Sequence, residues 1–154
     1  MYRCLVANNS HWAIFVFDSE IVITNCDIVY NTFGIGLTSN SLAIKNSILW
    51  GSGIYNINNQ ISPAYLQLSY SCIEGGTAGI SGSGILPENY VNNIDSNPLF
   101  VNTSGGAGLG FDALTADWNL QYNSPCIDTG DPLSPLDPDG SRADMGVYPR
   151  ALKP

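Results

Sequence analysis

The sequence predicts an all-β fold of short stacked coils, and three observations carry that prediction. The stretch from Ala13 to Gly53 is one unit written twice. At an offset of 21 residues, without a gap, Ile14 falls on Ile35, Val16 on Leu37, Ile21 on Leu42, Ile23 on Ile44, Asn25 on Asn46 and Ile28 on Leu49. A period in the low twenties marks units that bury their apolar faces only against a neighbouring unit. Within each copy, apolar residues alternate at period two in short runs rich in Val, Ile and aromatic residues, which suits pleated strands. At Asn25 the apolar positions pass from odd numbers (Ile21, Ile23) to even ones (Cys26, Ile28). The chain must turn a corner there, and Asn tolerates the left-handed backbone that a tight corner needs.

Taken in order, a coil near residues 1–12 supplies only its last strand and turn. Cys4-Leu5-Val6-Ala7-Asn8-Asn9 matches the run from Cys26 to Asn31 at an offset of 22, so the chain starts inside a coil. In the coil at 13–33 the expected strands are Ile14–Val16, Ile21–Ile23 and Cys26–Ile28; at 34–53 they are Ile35–Leu37, Leu42–Ile44 and Ser47–Leu49. With Asn46 one coil above Asn25, their side-chain amides are expected to hydrogen-bond to each other as a ladder along the stack. The coil at 54–76 is looser. Tyr55 and Ile57 follow Ile35 and Leu37 at an offset of 20, a turn bulges at 59–64, Leu66-Gln67-Leu68 resumes the second strand, and Tyr70 takes the corner. The Gly-rich run from Gly75 to Asn93 shows no periodicity and reads as a long surface loop. A last coil at 94–130 is assembled from Pro98–Val101, Trp118–Gln121 and Pro125–Asp128. Residues 131–148 form a turn-rich tail that covers the end of the stack, and 149–154 are a short terminal tail.

Three short strands per turn of about 21 residues, with an Asn corner between the second and third, resemble a right-handed parallel β-helix of the pectate-lyase-like kind. Further along, Asn97-Pro98-Leu99-Phe100-Val101, Asn119-Leu120-Gln121, the run Ser124-Pro125-Cys126-Ile127-Asp128-Thr129-Gly130 and the run from Asp137 to Tyr148 are similar to the closing segment of large secreted bacterial β-helix proteins. The resemblance implies a solenoid of about four coils in a secreted or cell-surface protein. It implies a non-catalytic role, closing the solenoid and contacting carbohydrate or a partner. Upstream coils of the same protein are then expected before Met1. The alternative is a part of a polysaccharide lyase or glycoside hydrolase whose catalytic coils lie upstream.

Composition narrows the function classes. Only 12% of the 154 residues are charged against 44% hydrophobic, so the chain has the makings of a core. Five Lys and Arg against thirteen Asp and Glu give a net charge of −8, which repels nucleic acid and anionic lipid. No apolar run approaches the ~20 residues of a membrane-spanning helix. In enzymes of the resembled fold, catalysis sits along the first-strand face and needs carboxylates with a Lys or Arg beside them. Here the outward positions of that face read Phe15, Phe17, Gly36, Thr38, Asn56 and Asn58, none of which titrates near neutrality. Asp18, Glu20 and Asp27 are the nearest carboxylates, whereas Lys45, Arg142 and Arg150 lie elsewhere, so solvated surface charge is expected.

His11 is the single histidine, which rules out a His-based metal site or triad within the chain. With Trp12, Phe15 and Phe17 it forms an aromatic cluster. Such rings either stack on sugars or pack beneath a neighbouring segment. Asp137, Asp139 and Asp144 surround Gly140 as in an oxygen-rich calcium loop, but without the downstream Glu of an EF-hand. Turn-building is their simpler use, and calcium is the one cofactor considered. Cys4 and Cys26 occupy matched positions, as do Cys72 and Cys126. Neighbouring strands lie at disulfide-compatible distance, and Cys72 with Cys126 closes the longer excursion; stacked free thiols are the other reading.

Overall fold

Alternating Ile, Val and Leu in runs of two to five residues form fourteen strands in a computed structural model, which describes residues 1–38 and 41–150. They are β1 (Leu5–Ala7), β2 (Trp12–Val16), β3 (Ile21–Thr24), β4 (Asp27–Val29), β5 (Phe33–Leu37), β6 (Leu42–Lys45), β7 (Ile48–Trp50), β8 (Ile57–Asn59), β9 (Leu66–Ser69), β10 (Cys72–Ile73), β11 (Ile80–Gly82), β12 (Tyr90–Val91), β13 (Phe100–Asn102) and β14 (Asp117–Leu120). Three parallel sheets take every third strand: β2-β5-β8-β11, β3-β6-β9-β12 and β1-β4-β7-β10. Each circuit of the chain thus adds one strand to each sheet. The structure is all-β, as the sequence predicts.

Register stacks like on like. Ile14, Ile35, Ile57 and Ile80 form a column in the first sheet. Ile23, Ile44, Leu68 and Tyr90 do so in the second, and Val6, Ile28, Leu49 and Ile73 in the third. All twelve belong to one apolar core, fully buried in the middle circuits and half-buried at Val6, Ile14 and Tyr90. Burial of each Ile or Leu side chain contributes about 1.5–3 kcal/mol, which is why two-residue strands such as β10 hold their place.

The corner assignments hold. Arg3, Asn25, Asn46, Tyr70 and Asn92 stack with φ between 48° and 53°. A second left-handed corner, unseen in the sequence, follows the third sheet at Asn8, Tyr30, Gly51 and Gly75. The amide ladder does not form. Asn25 Nδ2 donates to the Asp144 carbonyl at 3.2 Å, and Asn46 Nδ2 donates to Ser134 Oγ at 3.0 Å while its Oδ1 accepts from Asp131 N at 2.7 Å. A left-handed corner turns these side chains outward, where the C-terminal segment meets them first. The ladder that does form lies one residue later. Cys4 N donates to Cys26 Sγ, Cys26 N to Ser47 Oγ, Ser47 N to Ser71 Oγ, and Ser71 N to Asn93 Oδ1, at 3.0–3.4 Å.

Four other expectations are corrected. Ile57 pairs with Ile35, an offset of 22 and not 20, so Asn56 is buried and only Asn58 continues the outward column. The stretch 75–93 is a further circuit, because β11 pairs with β8, β12 with β9, and Ile94 bridges to Cys72. Residues 94–130 add no coil. β13 and β14 pair antiparallel, Phe100 opposite Leu120, and Pro125–Asp128 is turn. Their period-two pattern is the same for either strand direction, and the hairpin wins because its apolar face has a sheet to cover.

Finally, the segment 131–148 covers a side of the stack and not its end. Phe100, Trp118, Leu120, Cys126 and Met145 pack on the outer face of the third sheet, against Val29, Ile48 and Cys72. Met145 N donates to the Cys126 carbonyl and Gly146 N to that of Asn46. The flank formed by the β13–β14 hairpin and this segment reaches back to the first circuit, where Asn8 Nδ2 donates to the Gly106 carbonyl at 2.8 Å. Of the 149–154 tail, the last four residues lie outside the described ones.

Candidate functional site

The outer face of the first sheet carries the aromatic cluster, and strand alternation is what exposes its Phe15. Ile14 and Val16 turn inward on β2, so Phe15 turns outward and is half-exposed. Trp12 pairs in register with Phe33 of β5, and their ring centroids lie 4.9 Å apart. Phe33 continues to Tyr55 at 6.5 Å, giving a stack one ring per circuit. His11 sits 5.4 Å from Phe33 and 6.4 Å from Trp12. Sequence reasoning grouped His11, Trp12 and Phe15 correctly and missed Phe33 and Tyr55, because the offset of 20 disguised the match of Tyr55 to Phe33 at 22. Phe17 shares the outward parity but stands alone, highly exposed and in contact with none of these rings.

Stacked rings use up one another's faces; Phe15 differs. It pairs with Gly36, and a Cβ at that glycine would stand 2.7 Å from Phe15 Cδ2 and 3.2 Å from Trp12 Cδ2. The Phe15 ring therefore lies over bare backbone, tilted 50° from Trp12 at a centroid distance of 5.9 Å, and turns its other side to solvent. The outward column continues with Asn58 and Ser81, both half-buried. The patch is an apolar plate followed by an amide and a hydroxyl, with no charge in its column. It can bind by ring stacking and hydrogen bonding.

The titratable candidates lie away from it. Asp27 belongs to the third sheet, wholly buried beneath the flank, and accepts from Val147 N at 3.2 Å. Burial raises its carboxyl to about 8 against an ordinary 3.8, the bond from Val147 opposing in part. Lys45 pairs with Asp131 at 3.1 Å, Arg142 donates to the Gly130 carbonyl and Arg150 to that of Leu120. The calcium-like trio is occupied by donors of the chain itself. Asp137 Oδ2 accepts from Asp144 N, Asp144 Oδ1 from Asp128 N, Asp144 Oδ2 from Arg150 N, and Asp139 Oδ1 from Ser141 N and Oγ. Backbone donors in that number describe a turn, and burial holds the Asp137 and Asp144 carboxyls above the usual range. Among the described residues no three His, Cys, Asp or Glu side chains converge as metal ligands would.

All four cysteines are thiols. Cys26 Sγ is a rung of the ladder, whereas Cys72 and Cys126 lie in the apolar cluster outside the third sheet, where Cys72 Sγ donates to the Ser96 carbonyl at 3.1 Å. Cys126 stands in the flank and not one coil above Cys72. The neighbouring Cys72 thiol, followed by burial, pushes the Cys126 thiol far up. No helix among the described residues is long and apolar enough to cross a membrane. Comparison with family models, characterised proteins and solved structures found no match.

Proposed function

We propose that the chain is a non-catalytic portion of a secreted or cell-surface right-handed parallel β-helix, and that the outer face of its first sheet contacts carbohydrate. The three parallel sheets, each taking every third strand, support the β-helix reading. The observation that carries the contact is the Phe15 ring, laid on Gly36 with one face open beside Trp12 and with Asn58 next in the column. Pyranose rings offer C–H faces to such a plate and hydroxyls to such an amide. In this reading the flank closes the side of the solenoid, and further coils of the same protein stack on the β1 and β2 edges.

A glycan array followed by titration calorimetry tests the contact. The wild-type chain is expected to bind weakly, in the range of about 1 mM or tighter, and without turnover of the glycan. Phe15→Ala is expected to abolish binding. Gly36→Val, which drives a side chain into the Phe15 ring, should do the same while the exposed control Leu114→Ala leaves binding intact. Binding that survives both Phe15→Ala and Gly36→Val removes this face from the proposal.

A further inference from the structure

The run 144–147 of the flank is held on the stack by three hydrogen bonds. Asn25 Nδ2 donates to the Asp144 carbonyl at 3.2 Å, Gly146 N to the Asn46 carbonyl at 2.8 Å, and Val147 N to Asp27 Oδ1 at 3.2 Å. Two of them join neutral groups, and the third ends on a carboxyl. Asp27 is 1% exposed and stands in an otherwise uncharged column with Leu5, Ile48 and Cys72. From the stack, β1 and β7 set Leu5 and Ile48 beside it. From the flank, the turn at 125–128 brings the Cys126 thiol near enough to be acted on by its charge. Asp144, in the run itself, accepts from Asp128 N and Arg150 N. Among the described residues no cation is paired with Asp27: Lys45 is bound to Asp131, Arg142 to the Gly130 and Thr129 carbonyls, and Arg150 to that of Leu120.

We propose that the run 144–147 is a pH-operated latch, shut over Asp27 while that carboxyl carries a proton and lifted from the third sheet when the proton is lost. Under the shut latch, burial holds the carboxyl at about 8 against an ordinary 3.8, the bond from Val147 opposing in part. Once the latch lifts, water reaches the carboxyl and its ordinary acidity returns. Lifting therefore releases one proton, and the ratio of lifted to shut chains grows about tenfold with each pH unit from about pH 4 to about pH 8, then levels off. The Asn25 and Asn46 bonds do not titrate, so the pH dependence belongs to Asp27. Lifting uncovers the apolar outer face of the third sheet around Val29, Ile48 and Cys72. The inner core, on the opposite face of the same strands, stays closed, which makes this a smaller event than unfolding. The proposal rests on the buried carboxyl and its cover and not on carbohydrate binding.

Native-state hydrogen exchange of the full chain, read at single amides by NMR between about pH 5 and pH 7, tests the latch. Exchange from an open state rises about tenfold per pH unit through hydroxide catalysis alone, and coupling to Asp27 multiplies in a second tenfold. The Gly146 and Val147 amides are expected to exchange at least about a hundredfold faster with each pH unit. They should also be less protected throughout than the Ile35 amide, which is bonded to the Asn56 carbonyl in the first sheet. In Asp27→Asn the rise per pH unit should be about tenfold smaller. Asp27→Leu, which repeats on β4 the residue that the column carries on β1, should show the same loss at Gly146, whose own acceptor is untouched, and serves if the Asn variant does not fold. A tenfold rise in the wild type, or a rise unchanged by loss of the Asp27 carboxyl, would overturn the proposal. So would Gly146 and Val147 amides as protected as that of Ile35, because only global unfolding would then free them.

Discussion

Asp27 occupies a column of the third sheet whose other members are Leu5, Ile48 and Cys72. A carboxylate there would need several donors; it has Val147 N, and Gly146 passes so close that a Cβ on it would stand 2.6 Å from Asp27 Oδ1. With its folded value near 8 against 3.8, folding takes up a proton between about pH 4 and pH 8. The sign follows from linkage: where the native state binds the extra proton, stability falls as pH rises. The contribution of Asp27 is complete below about pH 4 and is lost progressively towards about pH 8, and the raised Asp137 and Asp144 act in the same direction. The melting temperature is therefore expected to drop between pH 5 and pH 8, and Asp27→Asn to flatten that drop. Parallel pH profiles for the two proteins would show that Asp27 does not titrate in this window. None of this was visible in the sequence, where Asp27 reads as a polar residue on an outward strand position and nothing announces the flank above it.

Between neighbouring circuits, the corner ladder does what the Asn amides were expected to do, with smaller side chains. Ser47 Oγ accepts Cys26 N at 3.1 Å and donates to the Lys45 carbonyl at 2.9 Å, satisfying two buried backbone groups. Ser47→Ala strands both, at a cost of about 1–3 kcal/mol. Ser47→Cys installs the side chain that the circuit below uses at the same place and is expected to cost less; denaturant titration of the two variants decides, and equal losses would mean that volume and not hydrogen bonding sets the preference. The match of Cys26 to Ser47 was legible, but only as a small residue on another small residue. Elements were legible where the repeat ran without gaps, through β2 to β7. The β11–β12 circuit escaped because its strands have two or three residues between Gly-rich turns, too short to show a period. The aromatic face was half legible: alternation placed Phe15 outward, but the plate depends on the bare Gly36 backbone one circuit away, which only register reveals.

For the molecule as a whole, the two kinds of surface differ in completeness. The third sheet is sheathed by the flank along its outer face, yet β1 and β2 each have a strand neighbour on one side only, while the edge of β3 is met by residues 1–3 through a Tyr2–Thr24 bridge. Val6, Ile14 and Ile21, at the lower rim of the core, are half-buried where Ile28, Ile35 and Leu42 above them are closed off. Two open parallel edges beside an apolar rim accept further strands in the same cross-section. The isolated chain is expected to self-associate with rising concentration, and light scattering that reports a monomer throughout would show that the rim is closed in solution. The flank has a different consequence. A plain stack of repeats can gain or lose a unit without offence to the rest; this one cannot. Asn8 is tied to Gly106 and Gly108, Asp27 to Val147, and Asn46 to Asp131, so a single segment is anchored at several heights. Duplicating one circuit would displace the lower anchors by about 4.8 Å and tear them from their partners. The flank works as a gauge laid against the stack, and the number of circuits is the length it measures.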